Sequence, residues 1–131
     1  MSNTFLRLGV LFALIGVSLG YWMGMTQQFG LSPVHAHINL LGWASMFLYG
    51  LFYRVFPQAG EGWAPKIHLW LSALGLPVMM AGLTIKLAPL PALKALELPG
   101  LIGGPTLIVL GMFVFAFIVF KATGAKASAA A

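Results

Sequence analysis

Residues 34–56 read VHAHINLLGWASMFLYGLFYRVF. Arg54 is the one side chain in this run with a fixed charge, and it stands near the far end. A helix needs about 20 apolar residues to cross a bilayer, and this stretch is long enough. Three further runs share its character. They cover about Phe5 to Met25, Lys66 to Leu87 and Leu98 to Phe120. The breaks between the four runs hold turn chemistry: Gly30 to Pro33, Pro57 to Pro65, and Pro89 to Pro91. Connections this short make consecutive helices antiparallel. The expectation is an all-α membrane protein, one domain over 1–121, folded as an up-down antiparallel bundle of four transmembrane helices. The small-residue tail from Ala122 to Ala131 is expected to be disordered.

Composition agrees with this reading. The chain has 131 residues, 60% hydrophobic and 7% charged, whereas about a quarter of a soluble domain is charged. Two acidic and seven basic side chains do not make a water-facing surface. The solvent for most of the chain is therefore lipid. The formal charge of +5 is not a nucleic-acid footprint, because the basic residues are scattered singly. They read instead as topology markers. With the N-terminus inside, Arg7, Arg54, Lys66, Lys121 and Lys126 fall on the cytoplasmic side, and Lys86 and Lys94 fall outside near Glu97. This predicts a multi-pass protein of the bacterial inner membrane with both termini inside. Trp22, Tyr53 and Trp63 stand near helix ends, as interfacial aromatics do. The first run is too long for a signal-peptide core, and no A-x-A site follows it, so it reads as a retained helix. The chain has no cysteine, which excludes disulfides, thiolate metal sites and covalent c-type haem attachment.

Ionisable residues inside a span are functional candidates by default. His35 and His37 lie about one turn into the second helix, after Pro33. Neutral imidazole is a good ligand for iron, copper and zinc. Each α-helical residue turns about 100 degrees, so positions i and i+2 stand about 200 degrees apart. His35 and His37 therefore point to opposite sides of one helix and do not chelate a single metal together. A one-metal helical site would use i and i+4. The His35 side continues through Asn39, Gly42 and Met46, and the His37 side through Leu41, Ala44 and Leu48. Both tracks are small or apolar, as a flat porphyrin would need. The plainer alternative is a pair of interfacial histidines bonded to water or carbonyls. His68, after Pro65 and Lys66, lies at the other membrane face and reads as an interfacial, hydrogen-bonded histidine. Gly16, Gly20 and Gly24, at spacing four, form a candidate packing face on the first helix. Pro77 and Gly103-Gly104-Pro105 are expected to bend or loosen the third and fourth helices.

The residues from His35 to Trp70 also carry a resemblance. His35-Ala36-His37-Ile38-Asn39-Leu40-Leu41-Gly42 leads to Tyr53-Arg54-Val55-Phe56-Pro57, then to Gly62-Trp63-Ala64-Pro65-Lys66-Ile67-His68-Leu69-Trp70. This resembles subunit I of the haem-copper oxidase superfamily across its tenth and eleventh helices. There a His-x-His helix ends in a Phe-Pro turn, and a Trp-Ala-x-Lys-Ile-His segment opens the next helix. His37-Ile38-Asn39 also resembles the His-x-Asn of nitric oxide reductase large subunits and cbb3-type oxidases. The resemblance implies haem b, with haem iron on both His35 and His37 and with Asn39 and Gly42 in the cofactor-binding face. The chain departs from the family in lacking the second histidine pair, the His-Pro-Glu segment, a match for the cross-linked tyrosine, and the Arg-Arg pair that holds haem propionates. Oxygen reduction at a haem–copper pair is therefore not expected, and any enzyme activity would be that of an oxidoreductase without the binuclear site. Lys86 or Lys94 is the candidate propionate partner. Subunit I has twelve helices in three four-helix arcs, so the resemblance implies a homotrimeric twelve-helix ring with haem shared between chains. A quinol or soluble electron carrier would be the redox partner. The alternatives are a haem that binds NO or O2, and a non-catalytic haem or copper sensor or assembly factor using Met23, Met25 and the two histidines as soft ligands.

Overall fold

The structure is a computed structural model that describes residues 1–88 and 90–129, with side chains through Gly124. It contains four long helices and, among the described residues, no strand. Helix α1 is Ser2–Thr26. Helix α2 comprises an α-helical entry, Ser32–His37, a π-helical centre, Ile38–Ser45, and an α-helical exit, Met46–Val55. Helix α3 is Ala64–Leu87 and helix α4 is Glu97–Ala129. Short 3-10 turns, Pro57–Gly60 and Pro91–Leu96, occupy the last two connections. Pro89 lies outside the described residues. The tail expected to be disordered instead continues α4 as helix through Ala129; side chains beyond Gly124 and residues 130–131 lie outside the described residues.

The boundaries follow from local chemistry. Pro33 and Pro65 sit in the first turns of α2 and α3, where their missing N–H groups cost nothing. Helix α1 ends on Gln27, whose left-handed φ of 56° closes the last turn. Helix α2 stops at Phe56, whose backbone leaves the helical region ahead of Pro57. Pro77 and Pro105 leave the carbonyls of residues 73 and 101 without their usual partners. Even so, α3 and α4 continue as α-helix through both prolines.

Three stretches are long and apolar enough to cross a membrane: Ser2–Thr26, Ala64–Leu87 and Pro91–Gly124. The outer surface matches. Leu14, Phe113 and Phe120 are exposed at 62%, 70% and 77%. Such a surface is tolerable only in an apolar solvent.

Apolar solvent removes most of the hydrophobic drive for helix association, leaving close packing and polar contacts to hold the bundle. Glycine supplies the close packing. Gly9 lies against Phe47, Gly16 against Asn39, Gly20 against His35, and from the other side Gly42 takes Phe12 and Gly50 takes Leu6. These pairs run in opposite chain order, which makes α1 and α2 antiparallel. The α3–α4 interface is the most extensive in the bundle. There a Cβ on Gly82 would come within 2.6 Å of the Gly100 backbone, and one on Gly104 would land on the Met79 backbone nitrogen. Gly104 is therefore a helix–helix contact as well as a neighbour of Pro105. Gly24 has open space around it, so the expected glycine face on α1 packs at Gly16 and Gly20 only.

Two core clusters fill the bundle. One joins Phe5, Met46, Tyr49, Tyr53 and Ile118 near the N-terminus of α1. The other joins Val34, Ile38, Leu76, Met79 and Met80 near the start of α2.

The glycine contacts give a paired test. Gly104→Ala forces a methyl into backbone and should cost about 1–3 kcal/mol or more through overpacking. Gly103→Ala places its methyl in open space and should be neutral or slightly stabilising. Thermal unfolding in detergent reads both. Equal midpoints for the two variants would disprove the close α3–α4 contact.

Candidate functional site

His35 and His37 both lie in the α-helical entry of α2, and His37 is the last residue before the π segment begins. The opposed directions inferred from α-helical rotation therefore apply to this pair. His35 turns toward α1, and its ring edge rests on Gly20, where a Cβ would lie 2.6 Å from Cε1. Its Nδ1 donates to the Gly16 carbonyl at 2.8 Å. Asn39 donates from Nδ2 to the His35 carbonyl at 2.8 Å and passes within 3.3 Å of Nδ1. His37 points away from α1 and is exposed. Its Nδ1 donates to the Pro33 carbonyl at 2.7 Å.

A carbonyl only accepts, so in each neutral imidazole the proton sits on Nδ1 and the lone pair on Nε2. No side chain or carbonyl among the described residues bonds either Nε2. This is the arrangement of metal-ligating histidines, in which one ring nitrogen is tied to a carbonyl and the other is left basic.

The remaining candidates are placed less openly. Asn39 packs on Gly16, and Gly42 is covered by Phe12 of α1 and Leu76 of α3. The surface below His35, expected to be a porphyrin face, is thus filled by helix packing within the chain. The free ground near His35 lies further along α1, at Gly24. Of the track expected below His37, Leu48 is exposed, Ala44 is half-buried and Leu41 packs inward against the core, while Leu40 and Trp43 are exposed on α2. Met23 is buried and Met25 is 69% exposed, so the two do not face one site. Among the described residues, no three His, Cys, Asp or Glu side chains gather as a metal site.

The π-helical centre carries one side-chain bond of the same period, Ser45 Oγ to the Leu40 carbonyl at 2.8 Å. π turns are rare, often occur at functional sites, and keep backbone groups satisfied inside the segment, as lipid requires. Residue spacing alone carried no sign of it.

Charge at this end of the bundle is concentrated on one carboxylate. Glu97 pairs with Lys86 at 3.9 Å and with Lys94. Both candidate propionate partners are therefore engaged, and the trio keeps one net positive charge.

His68, expected to be hydrogen-bonded, is so, but within the bundle rather than on its surface. It is fully buried, enclosed by the rings of Phe5, Tyr49, Tyr53 and Phe115, with Phe115 stacked on it at 4.9 Å. Its Nδ1 shares a 2.9 Å hydrogen bond with the Tyr53 hydroxyl, and its Nε2 has no partner. Tyr49 donates instead to Met112 Sδ at 2.7 Å. The signal for this burial lay in the aromatics Phe5, Tyr49, Tyr53 and Phe115, but which faces they shared was not visible before the helices were assembled.

Comparison with family models, with curated proteins and with solved structures finds no match to this chain.

The Tyr53–His68 bond has a measurable weight. Tyr53→Phe leaves both His68 ring nitrogens unpaired in a buried site and should destabilise by about 1–3 kcal/mol. Adding His68→Phe removes the orphaned groups, and the double variant should recover most of that loss. Thermal unfolding of the two single variants and the double variant checks this. A neutral Tyr53→Phe would count against the buried bond.

Proposed function

We propose that this protein binds haem b in the membrane, through His35 of one chain and His37 of its neighbour. The observation that carries this reading is the hydrogen bonding of the two imidazoles. Both rings spend Nδ1 on a backbone carbonyl and keep Nε2 free. Because the rings leave α2 on opposite sides, one chain cannot supply both ligands to one iron. Two chains can, and heterologous contact of this kind closes into a ring. Three four-helix chains make the twelve-helix ring suggested by the resemblance to haem-copper oxidase subunit I.

The chain's own residues fit a haem in three ways. Leu40 and Trp43, exposed on α2 within two turns of His37, offer apolar surface. Gly24 leaves open space on α1 beyond His35. Lys86 and Lys94, with one net positive charge after Glu97, stand at the same end of the bundle as the histidines and suit propionates. The group would supply one-electron redox chemistry. Held by both imidazoles, the group would serve electron transfer rather than the binding of O2 or NO. A quinol or a soluble electron carrier would exchange electrons with it, in a bacterial inner membrane with both chain termini on the cytoplasmic side.

The visible spectrum of the purified protein tests the proposal. A sharp Soret band with split α and β bands on reduction is the expected result. Sensitivity to CO or NO would instead mean an open axial position, and a colourless preparation reconstituted with haem and still colourless would end the proposal. His35→Ala and His37→Ala should each abolish or convert the low-spin spectrum. Gly20→Ala should do so partially, because its methyl displaces the His35 ring. The particle mass in detergent should correspond to three chains; haem retained on a monomer would overturn the shared site.

A further inference from the structure

A second site lies at the opposite end of the bundle. A cavity of about 360 Å3 opens between the α2–α3 connection and the C-terminal half of α4. Its volume falls within the range of about 300–1,000 Å3 typical of small-molecule sites. Pro65, Phe117 and Ile118 form its apolar wall, and Gln58, Glu61 and Lys121 bring the polar groups.

The charges are the informative part. Glu61 and Lys121 line the same cavity, yet neither side chain makes an ion pair or hydrogen bond among the described residues. Glu61 is one of only two acidic residues in the chain. The other, Glu97, holds two lysines at the far end. Glu61 instead stands at the end that carries Arg7, Arg54, Lys66 and Lys121, without taking any of them as a partner. A carboxylate so placed opposes a purely anionic ligand and leaves an acceptor open for an incoming cation. Lys121 leaves a donor open for an incoming anion. Exposed Trp63 beside the cavity marks headgroup depth.

We infer that this cavity binds the headgroup of a zwitterionic phospholipid of the ethanolamine type, with its ammonium on Glu61, its phosphate on Lys121 and its acyl chains along Phe117 and Ile118. The ammonium must be one that donates hydrogen bonds, since Glu61 and the Gln58 side-chain carbonyl are acceptors. A choline headgroup has no N–H to give. The inference does not depend on haem.

Native mass spectrometry of the delipidated protein, offered an equimolar mixture of phosphatidylethanolamine, phosphatidylcholine and phosphatidylglycerol, tests it without any variant. Phosphatidylethanolamine should be retained on the order of tenfold over the other two, as expected for charge-assisted hydrogen bonds made or lost. Glu61→Gln and Lys121→Gln should each remove most of that preference. Lys66→Gln, outside the cavity lining, should keep it, and helical circular dichroism confirms that the variants are folded. Equal retention of the three lipids overturns the proposal, as does an unchanged preference in both cavity variants. Selective uptake of phosphatidylglycerol, or displacement of the lipid by a benzoquinone analogue, assigns the cavity to another occupant and overturns it equally.

Discussion

Helix approach without a hydrophobic drive is the constraint on which the rest of this bundle depends. Lipid tails are as apolar as the side chains facing them, so burial of leucine against leucine gains little. What holds α3 to α4 is backbone laid against backbone at Gly82, Gly100 and Gly104. Between α1 and α2 the pattern differs. Four glycines there receive a larger side chain from the other helix: Asn39 at Gly16, His35 at Gly20, Phe12 at Gly42 and Leu6 at Gly50. Two of the residues received by α1 are polar, and both belong to the candidate cofactor site. The packing of the first two helices and the orientation of His35 are therefore one arrangement. Gly16 lets α2 come close enough for its carbonyl to accept from His35, since a Cβ there would meet the Asn39 amide.

That arrangement separates the two histidines by role. His35 is partly spent on structure, bracing α2 against α1 through its ring edge and Nδ1. His37 bonds only to a carbonyl of its own helix, so its ring is free to meet another molecule. The two imidazoles reach the same tautomer by different routes, one through tertiary contact and one through a local turn. The π segment that follows them changes the phase of α2 immediately below the pair. It carries Asn39 and Gly42 toward α1 and α3 while leaving Leu40 and Trp43 outside.

The His68 environment is a different use of the same residue type. An aromatic enclosure with one hydrogen bond and one unpaired nitrogen is costly for a polar group. It ties α1, α2, α3 and α4 together through Phe5, Tyr53, His68 and Phe115 at one point. Buried polar groups of this kind are conformationally demanding, because few alternative packings satisfy even one of their bonds. The sequence placed His68 at the membrane face because it follows Pro65 and Lys66 closely. It did not show that the face of α3 carrying Pro65 and His68 is buried in the bundle from the first turn.

The helices, their number and their antiparallel order were legible in the sequence, because a lipid solvent demands long apolar runs and proline and glycine mark where they stop. The opposed directions of His35 and His37 were legible too, since helical rotation depends only on spacing. Tertiary structure alone decided which carbonyls the imidazoles bond, which glycines meet another helix, and that Gly24 does not while Gly104 does. It decided the π turn in α2, the enclosure of His68 and the shared cavity of Glu61 and Lys121. The physical reason is common to all of these. Spacing along one helix sets which residues share a face, but the partner of that face is set by how four helices find contact in a solvent that does not push them together.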